Sequence, residues 1–287
     1  MARGSRLARL AALGLLGVVT LTGCEMPNNE FWRFGWPEGI TEQSQDMREL
    51  WTGSVIAALI VGIGVWGLIG WSVIRHRKRS DDLPKQTAYN LPLEIVYTIA
   101  PFLIIAALFF YTVVVQDKVQ ERSDNPDETI AVNAFKWNWQ FVYPDTTDPD
   151  GEPVSTVGTS TEIPILVVPT DRTIRFEVAS ADVIHSFWVP EFLFKLDVIP
   201  GNDNGRNNVF QVTVREEGSY VGRCAELCGT YHAFMNFQVT SVSGEDYDAY
   251  LEARESGMTT AEALEEIGQP GQATVTEPFE SLQNAGG

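Results

Sequence analysis

Two stretches of this chain admit very few folds. Residues 51–74 carry no charged side chain over 24 positions, and residues 95–116 carry none over 22. A helix rises about 1.5 Å per residue, so each run can cross a hydrocarbon layer about 30 Å thick. Every backbone N–H and C=O must be satisfied internally in that layer, which leaves helices as the form these runs can take. Between them lie Arg75-His76-Arg77-Lys78-Arg79 and then Lys85. Short loops rich in Lys and Arg stay in the cytoplasm. The prediction is a transmembrane hairpin over residues 51–116, with its basic loop 75–94 inside and both ends outside. Trp51, Trp66, Trp71, Tyr97 and Tyr111 include rings suited to the membrane interface. His76 reads as a solvated member of the basic loop. Pro101 falls within the second run, where neighbouring groups can satisfy the carbonyl it frees. Glu94 stands at the cytoplasmic start of that run. By physics alone it is either a cap at the helix end or part of a proton path.

The N-terminus points to export. Arg3, Arg6 and Arg9 precede an uncharged run over residues 10–22, too short to span a bilayer and suited to a signal peptide. It ends in Leu21-Thr22-Gly23-Cys24, which resembles a bacterial lipobox. Residues 1–23 are therefore expected to be a lipoprotein-type signal peptide. Cys24 is the expected lipidated residue, and residues 24–50 form an outer N-terminal segment.

Beyond residue 116 the pattern changes to short β-rich runs broken by Pro, Gly and Asp. Residues 129–143 read TIAVNAFKWNWQFVY, with aromatics at every second position from Phe135 to Phe141, the signature of one long strand. Further strands are predicted over 163–168, 173–179, 208–214, 219–223 and 234–242. Many short strands with turn signals between them give an all-β Greek-key barrel or sandwich. Residues 245–254 read as one short helix. From 256 the chain is small, acidic and poor in aromatics, giving a flexible tail over 256–287 with a helical turn near 261–267. From residue 116 onward there are 29 acidic and 10 basic residues, so essentially the whole net charge of −18 sits there. That surface argues against nucleic acid as a partner. It fits either a basic protein partner or simple solubility.

The chemistry lies in Cys224-Ala-Glu-Leu-Cys228-Gly-Thr-Tyr-His232-Ala-Phe-Met235. Two thiols, an imidazole and a thioether fall within twelve residues, and His185 offers a second imidazole. Soft sulfur donors with imidazole suit copper. The spacing is wrong for a structural zinc site, and no Cys-x-x-Cys-His for covalent haem occurs. The bland alternative is a Cys224–Cys228 disulfide, strained across so short a gap and leaving His232 and Met235 without a role.

These residues together resemble subunit II of the haem-copper cytochrome c oxidases. The likeness runs from the first apolar run to about Tyr250. It rests on the C-x-E-x-C-x-x-x-H-x-x-M run and on Asp182-Val-Ile-His185-Ser-Phe with Val189-Pro190 and Ile199-Pro200-Gly201. The aromatic Lys136-Trp137-Asn138-Trp139 and the hairpin complete it. The resemblance implies that residues 117–255 form an extracytoplasmic cupredoxin-like domain holding a binuclear copper centre, CuA. Cys224 and Cys228 would bridge the coppers, and His185 and His232 would each cap one. Met235 would be an axial ligand, and the Glu226 carbonyl its counterpart. The Glu226 carboxylate would serve a magnesium or manganese ion shared with subunit I. Trp137 would receive electrons from a c-type cytochrome, soluble or held in a supercomplex, and Glu94 would mark a proton-channel mouth. Oxygen chemistry would belong to subunit I, with subunit III a further partner, in a bacterial cell membrane with the copper domain outside. Asp182, Ser186 and Asn236 are candidates to orient the ligands. Asn202 stands where the family often has Arg, with Arg206 beyond, which affects expected contacts around Asp197; residues 141–163 are lengthened and acidic. A quinol-oxidase subunit II would lack the copper ligands. A membrane-tethered copper carrier would not need Trp137 and Glu94 at these places.

Overall fold

The computed structural model describes residues 33–83, 85–201 and 208–278. The chain separates into a short unit ending at Glu38 and a main unit beginning at Gly39. In the first, residues 33–35 form a turn, with the Trp36 N–H donating to the Arg33 carbonyl at 3.1 Å. Cys24 and the proposed signal peptide lie outside the described residues, as do Asn202 and Arg206.

The main unit opens with helix α1, Glu42–Arg75. It starts ahead of the uncharged run because its first turn is capped. Thr41 Oγ1 accepts from the Ser44 N–H at 3.1 Å, and Ser44 Oγ accepts from the Thr41 N–H at 3.2 Å. This reciprocal pair satisfies donors that a bare helix end leaves open. Helix α2, Leu91–Val119, begins at the Asn90 cap with Pro92 in its first turn and carries Pro101 inside. Apolar side chains along both helices are exposed, as expected of surfaces that face lipid or another membrane helix. At the outer ends Lys118 reaches Asp46 at 2.9 Å.

The rest is a β-sandwich. Its strands are β1 Glu128–Phe135, β2 Asn138–Thr147, β3 Pro153–Val157, β4 Ile165–Pro169 and β5 Thr173–Ser180. They continue as β6 His185–Val189, β7 Phe194–Val198, β8 Val209–Thr213, β9 Gly218–Cys224 and β10 Asn236–Val242. One five-stranded sheet runs β3-β2-β1-β5-β8 and the other β4-β10-β9-β6-β7. The pairs β1–β5 and β4–β10 are parallel. Inward positions alternate along each strand, Ile130, Val132 and Ala134 on β1 and Trp139, Phe141 and Tyr143 on β2. Between the sheets, Phe187 stacks on Phe237 at 4.9 Å and Phe176 on Phe210 at 4.9 Å.

Three expectations need correction. The long aromatic strand over 129–143 is two strands, turning at Lys136-Trp137 with Phe135 opposite Asn138. The turn reverses the inward parity, so Phe135 leaves the core face that Trp139 and Phe141 occupy. Strands β3, β6 and β7 lie where none was predicted. The expected flexible tail is folded as far as residue 278. After helix α3, Gly244–Glu255, helix α4, Thr260–Glu266, buries Ala263 and Leu264 completely. The Thr274 N–H then donates to Gln238 of β10 at 2.7 Å. The segment is polar in composition, but Ala263 and Leu264 lie side by side in a capped turn and are buried there.

Candidate metal centre

Strand register brings the donors to one end of one sheet. Strand β9 ends at Cys224 and β10 begins at Asn236, so the loop between them carries Cys228, His232 and Met235. Cys224 pairs with Phe187 of β6. His185, the first residue of β6, therefore stands just beyond Cys224, on the side of the loop. Two backbone bonds close the loop, Cys224 N–H to the Met235 carbonyl at 3.1 Å and Ala225 N–H to the Ser186 carbonyl at 3.0 Å.

The side chains converge as two linked lobes. Cys224 Sγ lies 3.8 Å from Cys228 Sγ, far beyond the roughly 2.05 Å of a disulfide. Around Cys224 are His185 Nδ1 at 3.8 Å and the Glu226 carbonyl at 3.2 Å. Around Cys228 are His232 Nδ1 at 3.6 Å and Met235 Sδ at 3.7 Å. Within 4 Å each sulfur thus has one imidazole nitrogen and one weaker donor beside it. His185, Cys224 and Cys228 alone form a group able to hold one ion, their donor atoms all within 4.8 Å. His185 and Met235 are fully buried and both Cys are buried, while His232 is half-buried. Soft, water-excluded donors of this kind fit copper.

The surrounding charges are arranged for ligation. Asp182 Oδ1 lies 2.9 Å from His185 Nε2, which leaves Nδ1 for a metal. Burial raises the Asp182 carboxyl, but His185 and the N–H groups of Lys136 and Val183 outweigh it and hold the pKa below its usual value. Burial also opposes charge on His185, yet Cys224 and Asp182 raise its pKa on balance. At Cys224 burial pushes the thiol up, and hydrogen bonding to His185 and the neighbouring backbone brings it down to about 7. Burial and the adjacent Cys224 push Cys228 up to about 12. Without metal the pair thus disfavours two negative charges, and Cys224 is the thiol that ionises more readily.

Of the residues singled out in the sequence, the structure gathers His185, Cys224, Cys228, His232 and Met235, with the Glu226 carbonyl beside them. The Glu226 side chain is exposed, outside this cluster. Trp137 sits on the β1–β2 turn against the ligand loop, its indole N–H donating to the Cys228 carbonyl at 3.2 Å. Glu94 lies apart, at the start of α2, where it accepts from the Asn90 N–H at 2.7 Å. That is the helix-cap arrangement. Asp182 orients His185, whereas Ser186 contributes its backbone carbonyl. The sequence reading missed Trp139 as a support of the site. It is fully buried, donates its indole N–H to the Met235 carbonyl at 3.2 Å, and sets its ring edge-on to His185 with centroids 6.2 Å apart. Its place in the aromatic run was visible, but only the packing of its side chain under the ligand loop gives it this role.

The comparisons with known proteins agree with this architecture. Residues 129–242 match the family model for the cytochrome c oxidase subunit II periplasmic domain, and residues 29–115 match the model for its transmembrane domain. A probable cytochrome c oxidase subunit 2 of Nocardia farcinica is 46% identical, covering 96% of this chain and 89% of its own length. Cytochrome c oxidase subunit 2 of Mycobacterium tuberculosis is also 46% identical, covering 98% of this chain and 90% of its own. Among solved structures, the periplasmic domain of subunit II of the Bradyrhizobium japonicum cytochrome oxidase is 30% identical. It covers 46% of this chain and 96% of its own, with a TM-score of 0.39. With both halves matched and relatives aligned along nearly their whole length, the chain belongs to the cytochrome c oxidase subunit II family.

Proposed function

We propose that this chain carries out electron input to its oxidase through a binuclear copper centre, CuA, held by His185, Cys224, Cys228, His232, Met235 and the Glu226 carbonyl. As a subunit II, it is a two-span membrane subunit of cytochrome c oxidase with its β domain outside. The observation that carries the ligand assignment is the pairing of each sulfur with its own imidazole, at 3.8 and 3.6 Å, across a Sγ–Sγ separation of 3.8 Å. Copper bound there supplies a one-electron couple close to the outer surface. The chain's own residues set its properties. Cys224 and Cys228 would hold the copper as thiolates, giving up their protons, and soft sulfur would favour the reduced metal. Asp182 holds the His185 ring, and Trp139 pins the backbone at Met235. The aromatic core beneath, with Trp139, Phe187 and Phe237 buried, would keep water from the sulfur side of the site.

Several finer assignments belong to the same reading. Trp137 would receive the electron from a c-type cytochrome, a reading supported by the bond from its indole N–H to the carbonyl of Cys228. The exposed Glu226 carboxylate is free to serve a magnesium or manganese ion at the boundary with subunit I. Glu94 marks a proton-channel mouth as well as capping α2. Cys24 carries a lipid anchor after removal of residues 1–23, and subunit III completes the assembly.

The test of the copper assignment is spectroscopic. The purified complex should show a mixed-valence copper signal distinct from the metals of subunit I, and Cys224→Ser should abolish it with loss of the corresponding copper. A Cys224→Ser complex with the signal intact would remove Cys224 from the ligand set.

A further inference from the structure

Trp137 stands on a two-residue turn, outside the strand ladder on either side. Its indole N–H is bonded to the Cys228 carbonyl. A pivot of the ring about Cα–Cβ or Cβ–Cγ would have to break only this one hydrogen bond. Space for that pivot exists. A concavity of about 380 Å³ borders the ring, lined also by Asn138, Gly158, Thr159, Ile163 and Phe234, with Tyr231 itself forming part of its wall. Two features of the ligand loop oppose the motion. Gly229, at φ 123°, lies under the indole so closely that a Cβ there would come 3.2 Å from Trp137 Nε1. Tyr231 stands edge-on to the indole, with ring centroids 4.9 Å apart and planes at 88°. That is the favoured geometry for an aromatic pair. Tyr231 is itself exposed and directly precedes His232.

We infer that Tyr231 is a positioning residue for electron input: its ring holds Trp137 over the Cys228 carbonyl, facing the donor, and keeps it out of the neighbouring concavity. The inference rests on Trp137 as the site of electron input. It adds that the loop carrying the ligands also sets the angle of that ring. Tyr231 moves no electron or proton; it acts through Trp137.

The test uses the intact oxidase and a soluble c-type cytochrome as donor, with stopped-flow reduction of the copper centre and its spectrum as readouts. An edge-on aromatic pair biases a geometry by a factor of about ten at most, so Tyr231→Ala should slow electron input by about two- to tenfold. Tyr231→Phe, which keeps the ring, should restore the rate. The copper spectrum should be the same in all three proteins. In a Trp137→Gln background, Tyr231→Ala should add no further loss, since the group it positions is gone. An unchanged rate in Tyr231→Ala, failure of Tyr231→Phe to restore it, or additive loss with Trp137→Gln would overturn the inference. So would a shifted copper spectrum in Tyr231→Ala, which would assign the residue to holding His232. Normal input in Trp137→Gln alone would remove the underlying reading of Trp137.

Discussion

At the scale of single residues, Asp182 does more than any other non-ligand. Its carboxylate accepts the Lys136 N–H at 2.8 Å and the Val183 N–H at 2.6 Å, and meets His185 Nε2 at 2.9 Å. One side chain thus fixes a ligand ring and the turn that presents Trp137. Groups that orient a ligating His affect metal affinity by about 10–100-fold. Asp182→Ala should weaken copper binding by that order, read by competition with a chelator of known affinity. Asp182→Asn, which keeps an acceptor oxygen, should lose less. The thiols set a pH dependence. Cys228 stays protonated in the metal-free protein at neutral pH, since its thiol is pushed up to about 12, while Cys224 titrates at about 7. Both protons leave when the sulfurs bind metal, so the metal-free state holds more protons and copper affinity must rise with pH. The dependence should steepen toward acid pH, where Cys224 and His185, whose own pKa is raised by its contacts with Cys224 and Asp182, also retain protons. Copper titrations over a pH series check this, and an affinity independent of pH would contradict the thiol assignment.

Among the elements, the β1–β2 turn shows why a sequence pattern can mislead. The aromatics from Phe135 to Phe141 keep one parity while Ile130, Val132 and Ala134 keep the other, and no Gly or Asn-Gly turn signal marks the switch between them. The reversal at Lys136-Trp137 is held from outside, by Asp182 and by the Cys228 carbonyl, both distant in sequence. Strand β6 escaped notice for a related reason. His185–Val189 has no polar alternation because most of its residues are buried between β7 and β9. The first helix of the hairpin begins at Glu42 because its start is anchored to the β domain. Ile40 is buried, its N–H donates to the Glu191 carbonyl at 2.9 Å, and its carbonyl accepts from the Arg215 N–H at 2.7 Å. Helix α4 belongs to the sandwich. Leu264 is fully buried, and Leu→Ala at such a site costs about 2–5 kcal/mol. Leu264→Ala should lower the thermal midpoint at which the copper signal of the oxidase is lost. An unchanged midpoint would return the segment to the status of a dispensable tail.

On the scale of the whole molecule, charge and apolarity are separated. The hairpin presents exposed apolar side chains for lipid and companion subunits, while nearly all of the net charge of −18 belongs to the outer domain and its approaches. A field of that size should draw a basic donor toward the domain, and screening should weaken it. Raising ionic strength from about 0.01 M to 0.15 M shortens the screening length from about 30 Å to about 8 Å. The second-order rate of reduction by a basic c-type cytochrome should fall across that range. A flat response would assign the acidic surface to solubility alone.

Two membrane spans, their orientation and the identity of the soft donors follow from the sequence by itself, because each is local. An uncharged run is apolar wherever it folds, and donors gathered within twelve positions need only one loop to bring them together. The Asp182 hub, the Trp139 support, the turn at Lys136-Trp137 and the packing of α4 were decided only by the tertiary structure. Each joins residues far apart in the chain, and strand register is set by burial of the whole sandwich rather than by any one segment.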